Sequence, residues 1–304
     1  MRFRFQIVAL VALLIGIVAC TNDTPAELQS ERDMVPVHFS GKPYVDISTR
    51  ASGNAFENLD EIGIFCVDTA ATGCDILCES GNYADNFRYR FNGESFVPAG
   101  SDTIMQYRYN VNAFTYYILY PYQTITETTQ CIYAVKEDQR NHANYTTSDL
   151  AVQKLTTRDT DITLHLKRMM ANIDVHITGS GLLSLHNDMG IRVFGVKRWV
   201  IVDLNTQKAT TTIGPGGNNV WFEKYVVRDE MVAFHALIAP QQLTNTQQIK
   251  LYVDDDEYLI PLPWETVNIP SNYKLTLNLE LEEDMSGDVR LLMGGTELQP
   301  NSMD

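Results

Sequence analysis

The chain has 304 residues, with 23 basic and 38 acidic side chains and a net charge of −15. Roughly two domains of about 150 residues fit this length, each large enough for its own core. So acidic a chain is a poor candidate for binding nucleic acid or anionic lipid headgroups, and we predict no nucleic-acid partner.

Residues 1–19 are predicted to be an export signal. Arg2 and Arg4 precede an apolar run that, at about 13 residues, is too short to span a bilayer. The run ends in Ile17-Val18-Ala19-Cys20, which resembles a bacterial lipobox. We therefore expect export by the Sec route, cleavage by lipoprotein signal peptidase, and acylation of Cys20, for example by palmitate, as a lipid anchor in the outer membrane.

Residues 20–50 are predicted to be a polar tether followed by a removable strand. Val35, Val37 and Phe39 alternate with polar neighbours, as expected for a strand with one buried face. A loop of small residues follows and carries one arginine, Arg50. We expect a protease to cut after Arg50, leaving Ala51 as the new N-terminus, and the groove left by the strand to be what the protein uses.

The first half of the body is predicted to be built from strands. The segment 113–120 is apolar on both faces, which favours a central strand, and the alternation in 60–67 directs Cys66 toward the core. Residues 136–154 are predicted to be a long polar connection. The predicted strands here are 60–67, 87–91, 103–109, 113–120 and 131–135.

A domain junction is predicted near residues 168–172. Apolar residues occupy even positions in 162–166 and odd positions in 173–177, and such a change of phase indicates a bulge, a bend or two strands in different sheets. The strands predicted beyond it are 191–204, 207–213, 220–227, 231–238, 249–253, 258–262 and 273–281. The prediction is an all-β protein with two sandwiches in tandem, 51–169 (with strand 35–47 before cleavage) and 170–304.

The cysteines and acidic residues do not form a recognisable metal motif. Four cysteines follow Cys20 and allow three complete disulfide pairings, which the sequence does not distinguish: Cys66, Cys74, Cys78 and Cys131. Zinc ligation by the first three with His38 or His142 would lack paired spacing. The acidic run 254–257 lacks the spacing of a calcium loop and fits a hairpin tip. We predict no metal and no cofactor.

No catalytic pattern is present either. The six histidines stand apart, no nucleophile elbow occurs, and the glycine-rich 214–217 precedes a strand rather than a helix. We predict that the protein is not an enzyme. The alternative is a surface lipoprotein that binds glycans through Trp199, Trp221 or Trp264, although tryptophans in strands more often belong to the core.

Several segments, in this order, resemble the fimbrillin family of type V pilins. Thr49-Arg50-Ala51 follows the lipobox, tether and strand, and weaker likenesses extend through the C-terminal half. The further segments that carry the resemblance are 60–65, 117–122, 138–139, 145–150, 164–177, 232–240 and 273–281.

The resemblance implies two transthyretin-like, Greek-key β-sandwich domains and a trypsin-like maturation protease. Removal of an edge strand would expose unpaired backbone groups and an apolar groove. The C-terminal strand of another pilin subunit would fill this groove by strand addition. The candidate donor is 288–304, in which Val289, Leu291 and Met293 alternate, although the same residues fit the last strand of their own domain.

Family membership would also imply a place in a cell-surface fimbrium that supports adhesion, with the receptor on the host or bacterial surface unknown. Uncut anchor subunits and tip subunits occur in such fibres. The sequence does not distinguish a stalk subunit from either of these.

Overall fold

The computed structural model describes residues 34–43, 55–73, 75–107, 113–179, 188–228, 230–283 and 289–301. They form strands almost throughout, with two short helices, α1 (Thr69–Thr72) and α2 (His142–Thr146). No helix in these ranges is long and apolar enough to cross a membrane. The strands are β1 (Met34–Pro36), β2 (His38–Ser40), β3 (Lys42–Pro43), β4 (Ala55–Phe56), β5 (Glu61–Asp68), β6 (Ala84–Phe91), β7 (Ser95–Pro98), β8 (Met105–Tyr107), β9 (Phe114–Tyr120), β10 (Cys131–Ala134), β11 (Ala151–Thr157), β12 (Asp161–Thr163), β13 (Lys167–Arg168), β14 (Ala171–Thr178), β15 (Met189–Phe194), β16 (Trp199–Asp203), β17 (Lys208–Thr212), β18 (Asn219–Trp221), β19 (Glu223–Arg228), β20 (Met231–Ile238), β21 (Gln241–Thr244), β22 (Gln248–Val253), β23 (Asp256–Ile260), β24 (Thr266–Ile269), β25 (Tyr273–Glu283) and β26 (Val289–Pro300).

An eight-stranded sheet dominates the first half, in the order β12-β2-β7-β6-β5-β9-β11-β13. Its two outermost strands, β12 and β13, are consecutive in the chain and separated only by residues 164–166. The sheet must therefore curl until its two ends approach each other. The curl encloses an aromatic core that includes Phe39, Phe91 and Tyr116.

The second half contains a five-stranded sheet, β19-β20-β14-β25-β26, and a four-stranded sheet, β18-β15-β22-β23. Alternate residues of both, such as Val175, Leu277, Ile191 and Leu251, are buried in one shared core. β14 pairs in parallel with β25 and antiparallel with β20, so it lies at the centre of its sheet.

The two halves are not independent of each other. β10 pairs with β16 in a three-stranded sheet with β17, so a strand from before residue 168 joins strands from after it. Phe65 and Tyr117, on the face of the eight-stranded sheet opposite to Phe39, also belong to the C-terminal core. The predicted tandem transthyretin-like topology and its domain boundaries stay a prediction.

Most strand predictions are confirmed, as is the all-β class. β9 is buried on both faces within its sheet, and Cys66 on β5 is buried in the core. The change of phase in 162–177 marks a change of sheet, because β12 and β13 belong to the eight-stranded sheet and β14 to the five-stranded one.

The prediction of a polar connection over 136–154 is wrong. This segment contains α2 and the start of β11, which pairs with β9 over seven residues. Gln139 explains part of the ordering, since it is fully buried and its amide both accepts from Leu237 N (2.9 Å) and donates to Leu237 O (2.8 Å). The pairing of β20 with β19 ends at His235, and the Gln139 side chain takes up the backbone groups of Leu237 beyond that point.

Candidate assembly groove

The first described segment, 34–43, contributes one strand to each of three sheets. β1 pairs with β8, β2 lies between β7 and β12, and β3 pairs in parallel with β4. The expectation that the removable strand lies at a sheet edge is therefore wrong for β2, which has a neighbour on each side. Loss of the segment would open a slot with unpaired backbone groups on both walls.

The backbone of β2 is held from both sides by hydrogen bonds. Val37 N donates to Ile104 O (2.9 Å) and His38 N donates to Thr160 O (2.7 Å). At the other end, Leu164 N donates to Ser40 O (2.8 Å). The pairing with β12 is parallel and the pairing with β7 antiparallel, so an incoming strand would have to match both registers.

Phe39 is the deepest side chain of the segment and is completely buried. Its ring meets the rings of Tyr89 and Tyr116 edge-on, at centroid distances of 5.4 and 5.6 Å. Aromatic pairs of this geometry contribute about 0.5–1.5 kcal/mol beyond their buried area. Removal of Phe39 would leave an aromatic pocket in the floor of the slot.

The two tyrosines of this pocket are themselves fixed by hydrogen bonds. Tyr89 Oη accepts from Ile104 N (2.8 Å), and the Tyr116 hydroxyl donates to the Gln106 side chain. Gln106 is fully buried and donates to Arg158 O (2.8 Å). Burial raises the pKa of both tyrosines, so both hydroxyls remain neutral at physiological pH.

The end of the segment packs by close backbone approach. Gly41 lies against the ring of Phe56, and a Cβ built on Gly41 would come within 2.5 Å of that ring. Phe56 also packs against Phe91, Phe96 and Tyr120. Only glycine leaves room for this contact without moving the aromatic cluster.

The predicted donor residues form the last strand of their own sheet. β26 pairs antiparallel with β25, with Leu291 opposite Leu281 and Met293 opposite Leu279, and a register shift follows at Gly294. Val289 pairs at the start of this strand, opposite Glu283.

β26 is weakly buried for so long a strand. Leu291 and Met293 are partly buried and pack against the outside of the C-terminal core. Leu292 and Leu298 are 43 % and 42 % exposed. Among the strands that the structure describes, β25 is the one neighbour of β26 in the sheet. Twelve residues are thus attached mainly through backbone pairing.

Three of the predicted site residues lie outside the described residues: Cys20, Arg50 and Ala51. Along the chain, the bond after Arg50 falls between β3 and β4, which pair with each other.

The cysteines considered as metal ligands lie in different environments. Cys66 is buried in the N-terminal core, Cys78 is exposed, and both are free thiols, as is Cys131. Cys74 lies outside the described residues. No cluster of three or more histidine, cysteine or acidic ligands occurs in the part of the chain that the structure describes.

The acidic run 254–257 is a hairpin tip, as predicted. Asp254 and Asp255 form the turn between β22 and β23, and Asp254 adopts a φ of 51° there.

The three tryptophans are all partly buried and have structural contacts. Trp199 lies against Gly214 and donates to Pro215 O (3.0 Å), and Trp264 packs against the C-terminal core. The Trp221 ring centroid lies 5.0 Å from Arg140 Cζ and 5.1 Å from Arg192 Cζ. Glycan binding through them stays a prediction.

Sequence reasoning found the buried strand but missed the pocket beneath it. Tyr89 and Tyr116 lie in the predicted strands 87–91 and 113–120, but the second is apolar on both faces, so its sequence does not show which way Tyr116 points. That both rings meet Phe39 depends on the curl of the sheet. The change of phase in 162–177 allowed for separate strands there, but not for the parallel pairing of β12 with β2.

The fold defines the class of protein first. It is an all-β structure built from several sheets, and the described residues contain no cluster of three or more metal-ligating side chains. The profile of the fimbrillin-like family then matches residues 49–296, and the chain belongs to this family.

Solved structures share this fold at low sequence identity. A candidate cell-adhesion protein from Bacteroides ovatus superposes with a TM-score of 0.65 at 16 % identity, covering 86 % of this chain and 97 % of that one. A second, from Bacteroides uniformis, gives 0.64 at 13 % identity, with 89 % and 99 % covered. A search of curated proteins found no significant match.

Family membership identifies the chain as a fimbrial protein of the cell surface rather than an enzyme. The prediction of the family from the sequence is confirmed.

Proposed function

We propose that this protein is a fimbrial subunit exported as a lipoprotein on Cys20, cut after Arg50 by a trypsin-like protease and polymerised by donor-strand exchange. In this scheme the segment before Arg50 keeps the groove filled until the subunit reaches the surface. β26 of the next subunit then replaces it, and the resulting fibre supports adhesion.

The observation that carries the proposal is the way β2 is held. It is a three-residue strand inserted between β7 and β12, anchored by the fully buried Phe39, and it belongs to the segment upstream of Arg50. A slot of this kind, open on both walls once emptied, has to be refilled by another extended segment. The weak burial of β26 supports it as that segment.

The first test is mass spectrometry of the mature N-terminus from cells. We expect Ala51 as the terminus in the wild type, and the acylated Cys20 in Arg50→Ala. Arg32→Ala, which changes another arginine of the same tether, is the matched control and should still give Ala51. Acylated Cys20 as the only wild-type terminus would instead identify an uncut anchor or plain lipoprotein.

The second test is assembly of purified protein. Protein lacking residues 20–50 should polymerise, and further deletion of 288–304 should abolish polymerisation. A synthetic peptide of residues 34–43 should compete with assembly, whereas the same peptide with Phe39→Ala should not. Unchanged polymers after the C-terminal deletion would remove β26 as the donor.

A further inference from the structure

His142 bridges two carboxylates from distant parts of the chain. It is the first residue of α2, which Asn141 caps by accepting from Asn144 N (2.9 Å). Its Nε2 lies 2.5 Å from Glu57 Oε1 and its Nδ1 lies 3.1 Å from Glu223 Oε1. A neutral imidazole has one N–H and can donate to only one of them, whereas an imidazolium can donate to both.

The bridge connects the two halves of the molecule. Glu57 directly follows Phe56, which is buried in the N-terminal aromatic core, and Glu223 is the first residue of β19 in the five-stranded sheet. The Glu57 side chain is 37 % exposed and that of Glu223 only 7 %, so the bridge runs from the surface to the interior.

The inner end of the bridge is rigidly supported. Glu223 Oε2 lies 2.8 Å from His235 Nε2, and the His235 ring stacks between Tyr145 at 3.7 Å and Tyr225 at 4.2 Å. Burial would raise the pKa of Glu223, but hydrogen bonds from His142 and His235 lower it to about 2. Glu223 therefore stays charged at every physiological pH.

We propose that protonation of His142 controls the contact between residues 55–60 and β19. The charged imidazole binds both Glu57 and Glu223, and the neutral imidazole releases Glu57. The proposal is independent of cleavage after Arg50, since all of its groups lie downstream of that bond. If cleavage removed β3, β4 would lose its strand partner. The contact through His142 would then contribute a larger fraction of the interactions that hold residues 55–60 in place.

The direction of the pH dependence follows from the partners. The hydrogen bond with Glu223 raises the pKa of His142; burial opposes this and Glu57 adds to it. Because the folded-state pKa is raised, the stabilisation is complete below about pH 6.5 and is lost as the pH rises through the folded value.

Asp60 is the other titrating group on this segment. Its carboxylate accepts from Glu57 N (2.8 Å), and burial raises its pKa to about 6. For an acid with a raised pKa, the folded state loses relative stability between about pH 4 and pH 6, as the carboxyl ionises. This window lies below that of His142, whose pKa is raised above 6.5.

The test uses the full chain and amide hydrogen exchange. Asp60 N donates to Glu57 O (3.0 Å), so its exchange reports on the segment. After correction for intrinsic rates, we expect His142→Gln to speed Asp60 exchange about three- to tenfold at pH 6.5 and to have no effect at pH 9. Glu57→Gln should behave alike, and His165→Gln, which alters an exposed histidine between β12 and β13, should change nothing.

A second measurement guards against a merely structural loss in the variants. In the wild type, the His142 ring proton should titrate above the usual histidine range by NMR, and Glu57→Gln should lower that midpoint. A His142→Gln effect of equal size at pH 6.5 and pH 9, or a ring titration unmoved by Glu57→Gln, would overturn the proposal.

Discussion

The strands β2 and β26 are attached to the molecule in opposite ways. β2 has three residues, two strand neighbours and a completely buried phenylalanine, whereas β26 has twelve residues, one neighbour and leucines that are more than two-fifths exposed. Backbone pairing on both sides and a buried ring hold the first, whereas backbone pairing on one side is the main attachment of the second. Exchange of a strand between subunits needs a deep slot at the acceptor and a loosely packed strand at the donor. The site of β2 has the first property and β26 has the second.

The largest effect should come from the anchor of β2. Phe39→Ala removes a fully buried ring from between Tyr89 and Tyr116, and we expect it to lower the free energy of unfolding by about 3–5 kcal/mol. Leu298→Ala in β26 is the matched control and should cost less than about 1 kcal/mol, because much of that side chain is already in solvent. Denaturant unfolding measures both, and similar losses would contradict the contrast.

A smaller effect should follow from adding one methyl group to each region. Gly41→Ala would drive its Cβ into the Phe56 ring, and we expect a loss of about 1–3 kcal/mol. Gly295→Ala in β26 has open space around the new Cβ and should change stability by less than about 1 kcal/mol. Equal thermal shifts in the two variants would show that the packing around Gly41 is looser than the structure indicates.

The smallest effect is a change in thiol reactivity beneath Phe39. Burial raises the pKa of Cys66 and raises that of Cys131 to about 11, so both should resist labelling in the native chain. With Cys74 and Cys78 replaced by serine, Phe39→Ala should speed labelling of Cys66 about tenfold, since both residues share the N-terminal core. Cys131 belongs to the other core and is the internal control. Parallel acceleration of both thiols would indicate global unfolding instead.

Prediction from the sequence succeeded where a single strand face is buried. The alternation of Ile62, Ile64 and Cys66 fixed β5 to within one residue at each end, because period-two burial is a local property. β11 was missed because Gln153 and Lys154 interrupt its apolar pattern. That strand is specified by its neighbour β9, which no local window contains.

His176 shows the same limit for side chains. Its place between the apolar residues 175 and 177 of an alternating run is typical of a surface residue. In the structure it is partly buried and lies 3.3 Å from Asp174, which is itself buried. The hydrogen bond with Asp174 raises the pKa of His176. The sequence places His176 two residues after Asp174. It does not show that Tyr225 and Lys274, which come from other strands, also contact Asp174.

The sequence by itself determined the strand-rich composition, the buried face of residues 35–39 and the order of segments that indicated the fimbrillin family. Each of these follows from local alternation or from linear order along the chain. Only the tertiary structure decided that β2 lies inside its sheet rather than at the edge, that Tyr89 and Tyr116 enclose Phe39, and that His142 connects Glu57 to Glu223. These contacts join residues up to 123 positions apart, and the first two depend on how the eight-stranded sheet curls.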